Sequence, residues 1–244
     1  MANRHDLDPP RSRQKRMLNF IAAREAMVES QVRPNSITDR RIIDAMASIA
    51  REDFVPETCK GIAYMDSDIS LARDPVARYL IEPMAFARLV QLAEIKPSDK
   101  VLHVGAATGY GTAVLARLGA EVVAVESDAA LAAAARHNLG GIANVSIVEG
   151  VLTDGAQSSA PFDAIVIEGR IGEMPQSLII QAAESGRLVA VLGDQDMAKA
   201  HLWVVNGKTT ACRPAFDASI AALPGFDRKR MPFVFEGFNG ASVR

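Results

Sequence analysis

The stretch Val101–Tyr110, which reads VLHVGAATGY, decides the fold class of this 244-residue chain. Its first four residues predict a short buried strand, and the residues from Thr112 onward predict a helix. Gly105 and Gly109 lie between them, where the backbone must turn sharply and can approach a ligand closely. In open α/β sheets, ligands bind beyond the carboxyl ends of the strands, where the strand order reverses. The stretch therefore indicates a ligand-binding strand–turn–helix unit, although a tight turn without a ligand would give the same pattern.

The glycine spacing of this turn argues against a nicotinamide dinucleotide. The dinucleotide fingerprint requires glycine at its first, third and sixth positions. Counted from Gly105, the third position is Ala107 and the sixth is Tyr110. Because two of the three glycines are missing, we expect a different ligand.

Strand and helix patterns alternate along the chain after this point. Such alternation predicts right-handed crossovers and a doubly wound, mostly parallel α/β sheet with helices on both faces. Asn206-Gly207 lies between two further strand patterns and predicts a hairpin, which would give the sheet an antiparallel edge. The expected strands are 100–104, 121–125, 145–148, 162–167, 187–192, 202–206 and 209–213, with 231–235 as a last candidate, and the expected helices are 112–118, 129–139 and 176–183.

The N-terminal part of the chain predicts helices and loops around this sheet. Residues 1–16 are polar and basic, and we expect a disordered arm, which could be a plain solvated tail or could touch nucleic acid or protein. Helices are expected at 18–30, after a cap at Ser36 or Thr38, and at 84–93. The stretch 53–83 is loop-rich, and long loops are often functional. We expect one globular domain, 17–244, in which 17–95 supplies helices and substrate-side loops and 96–244 forms the ligand-binding core.

Composition narrows the class of protein. Apolar residues make up 49% and charged residues 23%, as is ordinary for a globular chain. Neither a membrane-spanning run nor a signal-peptide pattern is present. A net charge of −2 does not favour nucleic-acid binding. The two cysteines, Cys59 and Cys212, are too few for a cysteine-based metal site, so we expect reduced thiols, no metal and a cytoplasmic location.

Two further strand ends point to the same crevice as the glycine turn. Glu126 follows the second strand, about twenty residues after the turn, where a carboxylate can accept hydrogen bonds from ribose hydroxyls. It could instead be a surface residue at the positive end of the next helix. Gly150 and Val151 follow the third strand, where an adenine edge could meet backbone amides.

This order of motifs resembles the class I S-adenosylmethionine-dependent methyltransferases, and specifically the protein-L-isoaspartate O-methyltransferase family. The resemblance is collinear over residues 25–195. Besides the turn, Glu126 and Gly150, it rests on FDAIVIEG at 162–169, MPQSL at 174–178, GRLV at 186–189, ITDRRIIDAM at 37–46, REDFVPE at 51–57 and AYMD at 63–66.

The resemblance implies a seven-stranded, methyltransferase-type, Rossmann-like sheet with an N-terminal helical cap. It also implies S-adenosylmethionine as cofactor and methyl transfer to the isoaspartyl carboxylate of a damaged protein or peptide. A carboxylate is ionised at neutral pH, so positioning and exclusion of water should suffice without a general base. The cofactor-binding residues it implies are His103, Gly105, Ala106, Thr108, Gly109, Tyr110, Glu126, Gly150 and Val151, and the substrate-side residues are Tyr64, Asp66, Ile81 and Glu82. Tyr64 could instead pack the loop, and Asp66 could cap a turn.

Three positions depart from the family pattern. The substrate loop has Ile81-Glu82 where the family has Ser-Gln, so a hydroxyl is lost and Glu82 would repel a carboxylate if it pointed inward. His103 takes a position that is acidic or otherwise polar in many relatives, and could replace that residue in part or be structural. Ala107 replaces the central glycine, and a negative φ would accommodate its β-carbon.

Three hypotheses follow from these departures. The chain could be a methyltransferase with a changed acceptor or an isoaspartyl methyltransferase with a rebuilt loop. It could also be a catalytically inactive relative that binds a partner.

Overall fold

The computed structural model describes residues 10–72, 76–194 and 197–226. Its helices are α1 (Pro10–Met27), α2 (Arg40–Ser48), α3 (Pro83–Leu92), α4 (Tyr110–Leu115), α5 (Ala129–Leu139) and α6 (Gln176–Ile179). Its strands are β1 (Ile69–Ala72), β2 (Arg78–Leu80), β3 (Lys100–Val104), β4 (Glu121–Glu126), β5 (Val145–Glu149), β6 (Phe162–Ile171), β7 (Ala182–Leu192), β8 (Lys199–Asn206) and β9 (Thr209–Asp217). A π-helical turn, Val28–Val32, continues α1, and short 3₁₀ turns join other elements.

The centre of the molecule is a seven-stranded sheet in the order β5-β4-β3-β6-β7-β8-β9. Strands β3 to β7 run parallel, whereas β8 is antiparallel to β7 and β9 to β8. The predicted mostly parallel sheet and its hairpin at Asn206-Gly207 are confirmed. The strand order reverses between β3 and β6, so the crevice beyond their carboxyl ends is where this fold binds ligands.

Both faces of the central strands are buried, as the continuous apolar patterns require. On one face, Val101 and Val166 pack in a core cluster with residues of α2, α3 and α4. On the other face, Leu102 and Ile165 pack in a second cluster with Leu178 of α6. The helices on both faces hold β3 and β6 rigidly, which fixes the position of the turn that follows β3.

The start of the chain is more helical than the sequence suggested. Helix α1 begins at Pro10, so the prediction of a disordered arm is wrong for 10–16, while residues 1–9 lie outside the described part of the chain. Proline suits the first turn of a helix, and the arginine, lysine and glutamine that follow it are strong helix formers. None of the described helices is both long and apolar enough to cross a membrane.

The cap of α2 also differs from prediction. Asp39 is its N-cap rather than Ser36 or Thr38, and the Asp39 carboxylate accepts a hydrogen bond from the Arg41 backbone N–H at 2.9 Å. Ile42 and Met46 of this helix face the core, and each is at most 1% exposed.

Two further elements differ in extent. The loop-rich stretch 53–83 contains an antiparallel hairpin in which Ile69 of β1 pairs with Leu80 of β2. Helix α6 is a single turn, because β7 begins at Ala182, within the predicted helix 176–183. The strand candidate 231–235 lies outside the described residues.

Candidate functional site

The turn between β3 and α4 is fixed by backbone hydrogen bonds. The N–H groups of Gly105 and Ala106 both donate to the Val125 carbonyl at the end of β4, at 3.0 and 3.1 Å. Gly109 precedes α4 with φ +100°, and a β-carbon there would lie 2.7 Å from Leu139 of α5. Only glycine fits this left-handed, crowded position. The turn is therefore preorganised at the end of the central strand.

Ala107 adopts a conformation that L-residues avoid. A negative φ was expected to accommodate its β-carbon, but φ is +49°, in the left-handed region. This conformation costs about 1–2 kcal/mol for a residue with a β-carbon. Its N–H donates to Glu126 Oε2 at 2.7 Å, a charge-assisted bond that helps to hold the strained backbone.

Glu126 is fully buried, which excludes the alternative that it is a surface residue. Both terminal nitrogens of the Arg78 guanidinium donate to its carboxylate, one of them at 2.7 Å. The backbone N–H groups of Ala107, Ser127 and Asp128 donate to the same carboxylate at 2.7, 2.8 and 2.9 Å. Five donors thus serve one carboxylate, which offers about four lone-pair positions.

A segment near the end of the described chain crosses the crevice. Arg170 of β6 donates its N–H to the Ala221 carbonyl at 2.9 Å and accepts from the Leu223 N–H at 2.8 Å. Because β7 pairs with the other side of Arg170, this segment lies on the β3 side, just beyond the end of β3. A β-carbon on Gly105 would lie 2.9 Å from Leu223 Cδ1. Leu223 therefore covers the first glycine of the turn.

The end of the crevice beside β5 is open. The Gly150 N–H donates to the Glu126 carbonyl at 3.0 Å, and the Val151 side chain is 59% exposed. An exposed apolar side chain beside backbone polar groups suits the edge and face of a purine ring.

His103 lies beneath α4 rather than in the crevice. Its ring is fully buried, with Nδ1 2.8 Å from Thr112 Oγ1 and Nε2 2.9 Å from Glu168 Oε2. A β-carbon on Gly111 of α4 would meet both His103 and Glu168, at 2.9 and 2.0 Å. This geometry supports a structural role for His103 rather than a role in the crevice. Sequence reasoning missed Glu168, although a carboxylate at the end of a buried apolar strand signals a buried partner.

Arg51 joins this buried cluster from the other side. Its Nε donates to the Ala63 carbonyl at 2.8 Å and one terminal nitrogen donates to the Ile81 carbonyl at 2.6 Å. The guanidinium carbon lies 4.7 Å from the centre of the Tyr110 ring. Burial lowers the pKa of Arg51 and raises the pKa of Tyr110. The side chains of Tyr110 and Ile81 are at most 1% exposed, so both belong to the core.

The remaining substrate-side residues have structural partners. The Tyr64 hydroxyl donates to Glu52 and accepts from Arg24 Nε at 3.0 Å. Asp66 Oδ1 accepts from the Met84 N–H at 3.2 Å, in the first turn of α3. The observed contacts therefore agree with the alternatives that Tyr64 packs the loop and that Asp66 caps a turn.

Glu82 lies half-buried in a group of acidic side chains. Its backbone N–H donates to Asp68 Oδ1 at 2.9 Å, and Asp68 Oδ2 accepts from the Ala221 N–H at 2.6 Å. Burial, followed by the charges of Asp66 and Asp68, raises the pKa of Glu82 to about 7. Asp68, which sequence reasoning missed, thus links the substrate loop to the segment that carries Leu223. A cavity of about 350 Å³ opens here, lined by Asp68, Tyr79, Arg170, Ser219, Ile220, Ala221 and Ala222.

Comparison with known proteins decides the family. The model of the protein-L-isoaspartate(D-aspartate) O-methyltransferase family matches residues 22–211. The chain belongs to this family. A protein-L-isoaspartate O-methyltransferase of Koribacter versatilis is 37% identical over 183 residues, which are 74% of this chain and 81% of that protein. One of Methanoregula boonei is 39% identical over 176 residues, 71% of this chain and 80% of the relative.

Solved structures agree on the fold of this family. A protein-L-isoaspartate O-methyltransferase superposes with a TM-score of 0.73 at 23% identity, covering 83% of this chain and 66% of the other. A putative family member from Plasmodium falciparum, solved in complex with S-adenosyl-L-homocysteine, superposes with a TM-score of 0.68 at 19% identity, covering 82% of this chain and 97% of the other. The predicted methyltransferase-type fold is confirmed.

The sequence-predicted residues of this family member other than Glu82, which lies beside Asp68, fall into two groups. One group gathers at the carboxyl edge of β3, β4 and β5 and comprises Gly105, Ala106, Thr108, Gly109, Glu126, Gly150 and Val151. The other group lies away from that edge, with His103, Tyr110 and Ile81 in the core and with Tyr64 and Asp66 packing the loop. Two side chains that contact the first group from within the crevice, Arg78 and Leu223, were not predicted.

Proposed function

We propose that this chain is an S-adenosylmethionine-dependent O-methyltransferase that methylates a carboxyl group on a protein or peptide, with an isoaspartyl residue as the acceptor to test first. One observation carries the proposal. The chain belongs to this family, and three features lie together at the carboxyl ends of its adjacent parallel strands β3, β4 and β5, beside the switch point of the sheet. They are the left-handed turn after β3, the Glu126 carboxylate at the end of β4 and Gly150-Val151 after β5. The comparisons give the alternative of a catalytically inactive relative no support.

The polar groups of the crevice suit this cofactor. Glu126 is the group that would accept the ribose hydroxyls, Gly150 and Val151 would border the adenine, and the turn at Gly105–Gly109 would meet the amino-acid end. When bound, S-adenosylmethionine supplies a sulfonium methyl group that an acceptor oxygen takes directly, leaving S-adenosylhomocysteine. Two side chains, Arg78 and Leu223, occupy part of the crevice and have to move for these roles.

The acceptor would enter through the 350 Å³ cavity beside the crevice. Arg170 lines this cavity, and its guanidinium donates to the carbonyls of Gly193 and Ile220 at 3.1 and 3.4 Å. Its positive charge would attract a carboxylate, whereas the acidic group at Asp68 and Glu82 would oppose one. A protonated Glu82 lowers that repulsion, so the balance depends on pH.

The proposal extends to the setting of the protein. Residues 96–244 would form the cofactor site, and residues 17–95 would supply helices and loops on the acceptor side, within one domain. A cytoplasmic location is supported by the two free cysteines, Cys59 and Cys212, which suit a reducing compartment. A protein or peptide partner and no nucleic acid are expected, in line with the net charge of −2.

The test is transfer of an isotopically labelled methyl group from S-adenosylmethionine to an isoaspartyl peptide, with the aspartyl peptide of the same sequence beside it. We expect label in the isoaspartyl peptide only, and its release as methanol in mild base, because carboxyl methyl esters hydrolyse there and N-methyl groups do not. Label in neither peptide, from protein that is shown to be folded, would overturn the proposal. Base-stable label would overturn the carboxyl acceptor.

The two ends of β4 offer a matched pair of variants. Glu126→Gln changes the buried carboxylate at the carboxyl end, and we expect it to abolish methyl transfer. Glu121→Gln changes an exposed glutamate at the start of the same strand, and we expect it to retain methyl transfer. Equal loss in both variants would contradict the assignment of the site to the carboxyl edge.

A further inference from the structure

Arg78 holds the carboxylate that the proposed function assigns to the cofactor ribose. It lies at the start of β2, and its side chain is 3% exposed where it meets the fully buried Glu126. The two terminal nitrogens face the two carboxylate oxygens, which is the bidentate geometry that makes arginine–carboxylate pairs strong. The contact joins residues 48 apart in the chain, so it is a tertiary feature rather than a local one.

The number of donors leaves no place for a ribose. The Ala107, Ser127 and Asp128 amides belong to the turn and to the start of α5, and they would remain beside Glu126 with a ligand bound. They use three of about four lone-pair positions on the carboxylate. Arg78 supplies the two further donors. Ribose hydroxyls can reach Glu126 only if Arg78 withdraws.

The same crevice is filled a second time, at its other end. Leu223 is 5% exposed and packs against Gly105, and a β-carbon on Gly169 would lie 2.8 Å from Leu223 Cβ. Asp68 joins the two occupants, since it accepts from the Glu82 N–H beside β2 and from the Ala221 N–H beside Leu223. The closed crevice is therefore one connected arrangement.

The hairpin that carries Arg78 is separate from the central sheet. Strands β1 and β2 form a two-stranded sheet of their own, with a register shift between Ser70 and Ala72. A two-stranded hairpin is marginally stable by itself and is held by what it packs against. Ile69 and Leu80 anchor it in the core, and Arg78, two residues before Leu80 on the same face of β2, reaches Glu126. Arg78 can withdraw without disturbing the parallel strands.

We propose that Arg78 is an internal competitor of the cofactor, occupying Glu126 until a nucleoside displaces it, and so sets the affinity for S-adenosylmethionine and S-adenosylhomocysteine. This inference rests on the proposed function, because it takes the crevice at Glu126 to be the cofactor site. The apparent affinity is reduced by the fraction of molecules in which Glu126 is free. That fraction is about 0.1–10% for a minor conformer, so removing Arg78 should tighten binding by about ten- to a thousandfold.

The experiment is calorimetric titration of the purified full chain with S-adenosylhomocysteine and, separately, with adenosine. Adenosine has the ribose but lacks the amino-acid end, which would bind at the turn that Leu223 covers. Adenosine therefore reports the effect of Arg78 separately from that of Leu223. We expect Arg78→Gln to bind both ligands at least about tenfold more tightly than the wild type. Arg33→Gln is the matched control, because Arg33 also pairs with a glutamate, but on the surface, and we expect its affinities to be those of the wild type.

The outcomes separate this inference from the proposed function. If the wild type binds the ligands and Arg78→Gln binds them with equal or lower affinity, Arg78 does not compete with the cofactor. That result would overturn this inference and leave the proposed function standing. Binding of neither ligand by the wild type or by Arg78→Gln would overturn both. Tighter binding of both ligands confined to Arg78→Gln would support both.

A second measurement covers the case in which Arg78→Gln fails to fold. In the wild type, an arginine-directed dicarbonyl reagent followed by peptide mass spectrometry reports the accessibility of Arg78. We expect Arg78 to be protected in the free protein and to react when S-adenosylhomocysteine is bound, while the exposed Arg33 reacts equally in both. Continued protection of Arg78 with the ligand bound would overturn the inference.

Discussion

Replacement of Glu82 by glutamine should make the stability of the protein less dependent on pH. Glu82 has a folded-state pKa of about 7, against 4.5 for an unperturbed glutamate, because burial and then Asp66 and Asp68 disfavour its charge. The folded chain therefore holds a proton that the unfolded chain releases. The stability that this proton contributes is fully present below pH 4.5 and is lost as the pH rises through 7.

The size of the effect follows from this pKa difference. Linkage converts the difference into an upper limit of about 3.4 kcal/mol. Glu82 is only half-buried, so solvent screening reduces the expected value to about 1–2 kcal/mol. Between pH 5 and pH 8, the wild type should lose this much free energy of unfolding relative to Glu82→Gln, which has no titrating group at the position.

The assay is urea unfolding at both pH values, followed by the fluorescence of Trp203, the single tryptophan of the chain, which is buried in the sheet. Glu25→Gln removes the charge of an exposed glutamate on α1 and should show the same pH dependence as the wild type. The reasoning is refuted if Glu82→Gln and the wild type lose equal stability between pH 5 and pH 8. It is also refuted if the wild type gains stability relative to the variant over that range.

Three other substitutions and one control, Gly61→Ala, test the packing around the site, each by urea unfolding. Arg51→Met leaves two buried carbonyls without their donor and should cost about 2–4 kcal/mol of the free energy of unfolding. Glu126→Ala leaves the buried Arg78 unpaired and should cost about 3–5 kcal/mol, so it is too disruptive to serve as a probe of binding alone. Gly109→Ala puts a β-carbon at φ +100° against α5 and should cost at least about 2 kcal/mol. Gly61→Ala, where a β-carbon meets nothing within 4 Å, should change stability by less than about 0.5 kcal/mol.

Each of these values has an outcome that contradicts it. A cost under about 1 kcal/mol for Arg51→Met would mean that water replaces its hydrogen bonds to the two carbonyls. If Glu126→Ala left the free energy of unfolding unchanged, that result would contradict the buried ion pair between Arg78 and Glu126. Equal effects of the two glycine substitutions would contradict the left-handed geometry of the turn.

The central elements of the fold could be predicted because their signals are local. Strand β3 and helix α5 have the predicted bounds, since an apolar run ends at Gly105 in one case and Asp128 caps the helix in the other. The hairpin at Asn206-Gly207 follows from turn chemistry within a few residues. The predicted helix 176–183 was too long, because the residue pattern after Ile179 is compatible both with a longer helix and with the start of β7.

The contents of the crevice could not be predicted, because they depend on contacts between distant parts of the chain. Glu126 was found from its place after a strand, but Arg78 lies 48 residues earlier in a stretch that has no periodic pattern. Leu223 meets Gly105 through a segment that follows the last strand of the sheet. A sequence motif identifies the edge of a sheet, and it carries no information about which side chain of the same chain rests there.

The most direct test of this account is a crystal structure of the wild-type protein grown with S-adenosylhomocysteine. The account predicts a ribose whose hydroxyls lie within hydrogen-bonding distance of the Glu126 carboxylate, an adenine beside Gly150 and Val151, and an Arg78 side chain turned away from Glu126. A ligand bound elsewhere, with the Arg78–Glu126 pair intact, would contradict both the assignment of the crevice and the competition for it.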